Sequence, residues 1–403
     1  MLRFIRSITL ILIFLSLSTS FDSRIYYIFF GIIVILFFLY TLIRHKIQKL
    51  ETIDLIASSF ILIWAYGFIL GLIKGNNISY VISNFAGMIC YFSYFVFVGY
   101  KIDIQILTKI ILLSGFLLCF LAIAFMMSIF YGNPLPFVDT NISFSSTGQF
   151  RIYFPNLAII YCLLGISFYQ ILYNNKDYRF MGLNKRIISL IYFILSFVAL
   201  FFLCASKGFA LGIIYVIGII FLFSYGSQIK RNKLHLSFFF FIFLITILLF
   251  IIITSGYFNI ITNMFEKEDI SNIARYEQLN FLLADIKLLG NGLGATVPGY
   301  ISNPELPYGF ELTFINVIHK FGIFSIVLFF NWIYMLSYLF KQCWNKKNII
   351  TNVVMLASLG YLFPSIGNPL LFHPSLVILN SIVLYHIKLE KNNAKKVCLH
   401  SNI

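Results

Sequence analysis

Apolar runs of about twenty residues, separated by short connections rich in Lys and Arg, recur along nearly the whole chain. No other feature restricts its fold as much. A helix rises ~1.5 Å per residue, so a run of this length matches the hydrocarbon layer of a bilayer. Backbone amides inside lipid find no water to bond, which leaves the α-helix as the structure such runs can form. Only 11% of the residues are charged, against roughly 25% in soluble domains. No polar stretch is long enough to make an independent soluble domain. We therefore read residues 1–403 as a single integral membrane domain, an all-α polytopic bundle of about twelve transmembrane helices.

The spans fall at about 4–20, 25–43, 54–73, 78–99, 108–131, 152–174, 187–205, 207–226, 235–254, 311–340, 350–363 and 370–388. With these boundaries, 21 of the 29 Lys and Arg residues lie at the termini and in the even-numbered connections. Cytoplasmic loops carry the excess of basic residues, so the pattern places both termini and the even connections in the cytoplasm. The first stretch, with Arg3 and Arg6 ahead of an apolar run, has the outline of a signal peptide. The charge alternation needs it as an uncleaved first helix.

The net charge of +15 sits in those short connections, where it meets headgroups, and forms no basic groove with interleaved aromatics. Nucleic acid is excluded as a partner on that ground. The six cysteines show neither metal-ligand spacing nor a disulfide framework. No nucleotide-binding, hydrolase or metal motif occurs, so the sequence implies no cofactor and no metal.

Two extracytoplasmic segments are longer than the rest, at about 132–151 and 255–310. The second holds six acidic residues, and within it Ile273, Tyr276, Leu279, Leu283 and Ile286 recur at helical spacing. That spacing predicts an amphipathic helix over 272–289, lying on the outer membrane face or on the bundle. The glycines of Gly290-Asn291-Gly292-Leu293-Gly294 would end it.

Charge on this side is scarce, so each charged residue asks for a reason. Arg151 stands where the first long loop re-enters the membrane, just ahead of Tyr153, Pro155 and Asn156. Lys207 occupies the tight connection Ala205–Gly208, and Arg275 opens the amphipathic helix. Two readings are open for these cations: headgroup contact by ordinary loop residues, or a shared pocket for a diphosphate. Glu311 follows the large loop directly and starts an apolar helix. It is either a carboxylate favoured by the helix dipole or a base for a hydroxyl at the outer surface. His319 lies eight residues on, roughly 12 Å further along a helix, too far to share a site with Glu311. His373, near the outer end of the last span, is a further secondary candidate together with Tyr153, Asn156 and His319.

Four segments resemble the O-antigen polymerase and ligase superfamily of bacterial membrane glycosyltransferases. Arg151 precedes an aromatic-proline-asparagine helix start (Phe154-Pro155-Asn156), and Ala205-Ser206-Lys207-Gly208 is similar to that family's Ser-Arg/Lys-Gly turn. Arg275 heads a helix ending in Leu288-Leu289-Gly290-Asn291-Gly292-Leu293-Gly294, and the helix after the loop reaches Phe321-Gly322. Many members place a His-Asn pair eleven residues before that glycine, whereas Glu311-Leu312 stands here, a departure that looks more like a polymerase than a ligase.

The resemblance implies a GT-C-like fold in the bacterial inner membrane and a metal-independent, inverting glycosyl transfer at its outer face. An undecaprenyl-diphosphate-linked glycan chain would pass to a lipid-linked repeat unit. Arg151, Arg275 and Lys207 would hold the diphosphate and Glu311 would activate the acceptor. Membrane lipids and a polysaccharide chain-length regulator are the implied partners. The alternatives are a lipid-linked oligosaccharide flippase or other transporter, and an O-antigen ligase.

Overall fold

The computed structural model describes residues 2–18, a few positions between 31 and 38, 50–131, 141–144, 150–153, 155–173, 178–204, 207–226, 270–301, 304, 306–345, 349–366 and 370–400. Expected spans at 25–43, in most part, and at 235–254 lie outside these residues.

Seven of the described helices are long and apolar enough to cross a membrane. In chain order the elements are α1 (Leu2–Ser18), α2 (Thr52–Ile73) and α3 (Ile78–Ala86), the last continuing through a 3-10 stretch into α4 (Ser93–Tyr100). Then come α5 (Ile104–Phe130), strands β1 (Asn141–Phe144) and β2 (Phe150–Tyr153), and α6 (Ile160–Tyr173) entered through a 3-10 turn. After these are α7 (Arg186–Phe197), which ends in a π-helical turn over Val198–Leu203, and α8 (Lys207–Gly226). The remainder is α9 (Ile270–Ala284), α10 (Thr313–Phe321), α11 (Ser325–Asn345), α12 (Ile349–Leu362) and α13 (Pro374–His400).

The bundle is built around α6 and α12. Their spans are the most deeply buried of the seven, and α6 packs on α5, α7, α8 and α12. Gly360 lets α12 approach so closely that a Cβ there would lie 2.7 Å from the Ala158 carbonyl. Membrane helices pack through such small residues because lipid gives apolar side chains no drive to associate. The outer helices carry the opposite signature. On α2, α7 and α11, residues such as Leu62, Ile191 and Phe330 stay exposed, as lipid-facing side chains do. Together these features make a membrane-embedded helical bundle. The five cysteines whose side chains are described are all buried, and none of them pairs with another in a disulfide.

Two expectations need correction. The segment at 132–151, expected as a loop, contains strand pairing: β1 and β2 run antiparallel with Ser143 opposite Arg151, beside the helices of the described residues. The tenth span, expected as one helix over 311–340, is broken. Gly322 adopts φ 55° and ψ −133°, a conformation no helix contains, and a 3-10 turn over Gly322–Phe324 separates α10 from α11. A Cβ at Gly322 would collide with the Leu288 carbonyl, and the next amide, Ile323 N–H, donates to that carbonyl over 2.8 Å. The break exists to receive another segment of chain.

Candidate functional site

The amphipathic helix appears as α9, and it runs alongside α10 in the same direction. Three contacts fix that register. At the leading ends Arg275 Nε donates to Glu311 Oε2 over 3.1 Å. One turn on, Leu312 N–H donates to Gln278 Oε1 over 2.8 Å. At the trailing ends His319 Nε2 lies 2.9 Å from Asp285 Oδ2. A carboxylate only accepts, so Nε2 carries the proton of that bond. Ten residues of helix span roughly 15 Å and eight span roughly 12 Å, so the outer two contacts tie the pair at both ends. Between them Leu282, Val297 and Phe310 form a small apolar core.

The chain then turns through three glycines with φ of 79°, 79° and 70° at Gly290, Gly292 and Gly294. Only glycine takes this backbone without strain. The turn is inserted between α2 and α10. Asn291 and Gly292 N–H donate to the carbonyls of His319 and Lys320, each over 2.9 Å, while Leu293 N–H donates to Gly67 over 2.8 Å. Side chains complete the seal. Lys74 Nζ reaches the Gly290 carbonyl over 2.8 Å, Asn76 Nδ2 donates to Asn291 and Leu293, and Tyr66 Oη–H donates to Leu289 over 2.7 Å. Asn291 Nδ2 bonds the Asp285 carbonyl over 2.7 Å, linking the turn to the end of α9.

Lys320 lies beside this turn with 0% of its surface exposed. Its Nζ donates to Asn84 Oδ1 and to the Tyr308 carbonyl, and it sits over the rings of Tyr308 and Phe372. Among the described residues no carboxylate pairs with it. Asn84 Oδ1 also accepts from Gly294 N–H over 3.2 Å. Lys320 thus joins α3, the glycine turn and the segment leading to Glu311.

Of the residues singled out in the sequence, Arg275 and Glu311 meet. Their side chains remain 29% and 47% exposed, so both reach solvent. His319 belongs to the Asp285 contact at the far end of α10, apart from Glu311, as the helical distance required. Arg151 and Tyr153 lie on β2, which rests against the Val198–Leu203 turn, and Lys207 opens α8 a few residues beyond that turn. The backbone thus sets β2 beside the turn that precedes α8. The Pro364–Ile366 turn touches both α8 and α10.

Asn156 is a core residue. Its Nδ2 donates to Ser16 over 3.1 Å and its Oδ1 accepts from Ser375 over 2.6 Å, which ties together the helices they sit on. His373 packs its ring on Tyr361, with centroids 6.4 Å apart, and its Nδ1 faces the Ser375 amide. Neither touches the Arg275–Glu311 pair. Gln278, Asp285, Asn291 and Asn84 were not singled out at all. The signal available was modest: Asp285 and Asn291 flank the glycine turn, and His319-Lys320 is a polar step inside an apolar run.

Among the described residues no three His, Cys, Asp or Glu side chains gather as metal ligands. No protein-family model matches the chain, and no curated protein does either. What the site does is therefore argued from its chemistry.

Proposed function

We propose that this protein is a membrane glycosyltransferase of the polysaccharide-polymerase type, working at the extracytoplasmic end of the bundle. The observation that carries the reading is the half-exposed Arg275–Glu311 pair, assembled from residues 36 apart in sequence. It joins a guanidinium, which binds phosphate oxygens in bidentate fashion, to a carboxylate able to take a proton from a hydroxyl. An ion pair this exposed is worth ~0–1 kcal/mol, so an arriving diphosphate replaces the carboxylate as partner of Arg275 at little cost.

In the reaction, the acceptor sugar hydroxyl attacks the anomeric carbon of the lipid-linked donor chain. A new glycosidic C–O bond forms, the bond from that carbon to the diphosphate oxygen breaks, and the configuration inverts. The hydroxyl proton passes to Glu311. The bonding electron pair departs with the diphosphate, whose charge Arg275 stabilises, with Arg151 and Lys207 as the further cations of the proposed site. The sidedness rests on the distribution of basic residues, which puts both termini in the cytoplasm. An undecaprenyl-diphosphate-linked oligosaccharide is the expected substrate, and a chain-length regulator is the expected protein partner.

One observation favours a second reading. Broken helices beside buried polar groups line the binding sites of many transporters, and the break at Gly322 adjoins the buried Lys320. A flippase for lipid-linked oligosaccharides is thus the rival. Glu311→Gln and Arg275→Ala, each expressed in cells lacking the native gene, separate the readings through the surface polysaccharide. A polymerase defect leaves single repeat units and no long chains. Lipid-linked units trapped at the cytoplasmic face indicate a transporter, and uncapped polymer indicates a ligase.

A further inference from the structure

We propose that residues Lys287–Gly294 form a re-entrant segment lodged inside the bilayer, with Leu288 and Leu289 in contact with lipid acyl chains. The sequence places Lys287–Leu289 at the end of an amphipathic helix on the outer membrane face or the bundle, and Gly290–Gly294 in the turn that ends it. Three observations set this segment deeper.

The first is depth. Leu293 N–H bonds the carbonyl of Gly67, six residues before the end of α2, so this part of the turn lies about 9 Å inside the end of a spanning helix. On the other side the Leu288 carbonyl bonds the amide of Ile323, in the turn where α10 folds back against α11, Phe314 packing on Phe329 and Trp332.

The second is polar satisfaction. Irregular backbone survives at membrane depth only where protein groups replace water. Here the carbonyls of Leu288, Leu289, Gly290, Asn291 and Leu293 and the amides from Gly290 to Gly294 all have partners, many of them reaching in from α2 and α10. A loop in water needs no such provision.

The third is what the turn shows to the outside. Leu288 is 75% exposed and Leu289 54%, although their carbonyls are pinned from behind by Ile323 and Tyr66. They continue the apolar surfaces of the flanking elements, where Ile69 and Ile73 of α2 and Ile323 and Phe324 of the turn before α11 are exposed too. Tyr66 and Phe324 pack ring on ring across that seam, 4.5 Å apart. Lys287, exposed just ahead of the leucines, has the length to carry its ammonium to headgroup phosphates.

The consequence concerns access. A lipid-lodged turn holds the adjoining α9–α10 pair at the membrane surface, where an amphiphile with an anionic headgroup arrives by lateral diffusion.

The test needs no assay of activity. Nitroxide labels are placed at Leu288→Cys, at Ile73→Cys as a lipid reference and at Thr296→Cys as a reference on the exposed loop, all in protein with its native cysteines replaced and reconstituted in phosphatidylcholine vesicles. The expected label at 288 collides readily with oxygen and poorly with a water-soluble nickel chelate, as at 73. A nickel-accessible label, as at 296, overturns the proposal. So does a label shielded from both reagents, which would mean that protein covers the turn. Leu288→Trp in the otherwise native chain gives an independent readout, since brominated lipid should quench the added emission. Absence of that quenching also overturns the proposal.

Discussion

Two ion pairs are built in opposite ways. In one, Lys388 Nζ donates to both oxygens of Asp54, over 2.7 and 2.9 Å, and Tyr94 Oη–H and Glu51 N–H donate to the same carboxylate. Its side chains are 10% and 5% exposed. In the other, Arg275 and Glu311 meet through a 3.1 Å bond in reach of solvent. The closed pair is a joint, with no access for any ligand. The open pair can exchange partners without taking the fold apart. On the proposed function, charge placed for chemistry and charge placed for structure differ in what surrounds them, not in residue type.

That contrast can be broken by substitution. Asp54→Asn or Lys388→Met alone should cost about 3–5 kcal/mol, because each leaves its partner charged and buried. Thermal unfolding in detergent would register this, and the double variant should recover much of the loss. If the single variants unfold like the native protein, the closed pair is no joint.

Gly322→Ala comes next. The left-handed backbone costs about 1–2 kcal/mol with a side chain present, before any collision with the Leu288 carbonyl. Hydrogen exchange over residues 288–294 should quicken in this variant, because the glycine turn loses its seat. Asp285→Asn should cost about 1–2 kcal/mol by weakening the bond to the buried His319. It should leave the leading ends of α9 and α10 side by side, as read from a cross-link between Arg275→Cys and Glu311→Cys in the same background.

Smallest in stability is Glu311→Gln, at ~0–1 kcal/mol. On the proposed reading it is also the change that removes long polymer. Arg275→Lys keeps the charge but loses the planar fork, and should lower product yield without altering the melting temperature.

The apolar runs made the helical bundle legible, because lipid tolerates so few alternatives, and the spacing of Ile273, Tyr276 and Leu283 located α9 to within a few residues. Charge scarcity singles out Arg275 and Glu311 separately, only the resemblance assigns them to one site, and the parallel course of α9 and α10 is what brings them into contact. The glycine turn was legible as a turn but not as an insertion between α2 and α10. Its partners Tyr66, Gly67, Lys74 and Asn76 lie more than two hundred residues away. The break at Gly322 was hidden for a related reason. Apolar residues continue on both sides of it, so periodicity alone draws a single helix. Asp285 falls within the expected amphipathic helix and His319 is a secondary candidate on sequence, but only the parallel course of α9 and α10 brings them face to face.

Purified protein in lipid vesicles, supplied with lipid-linked repeat units, tests the central claim most directly. The account predicts long glycan chains from the native protein and single units only from Glu311→Gln, with both proteins melting at the same temperature. Long chains made equally well by Glu311→Gln would contradict it.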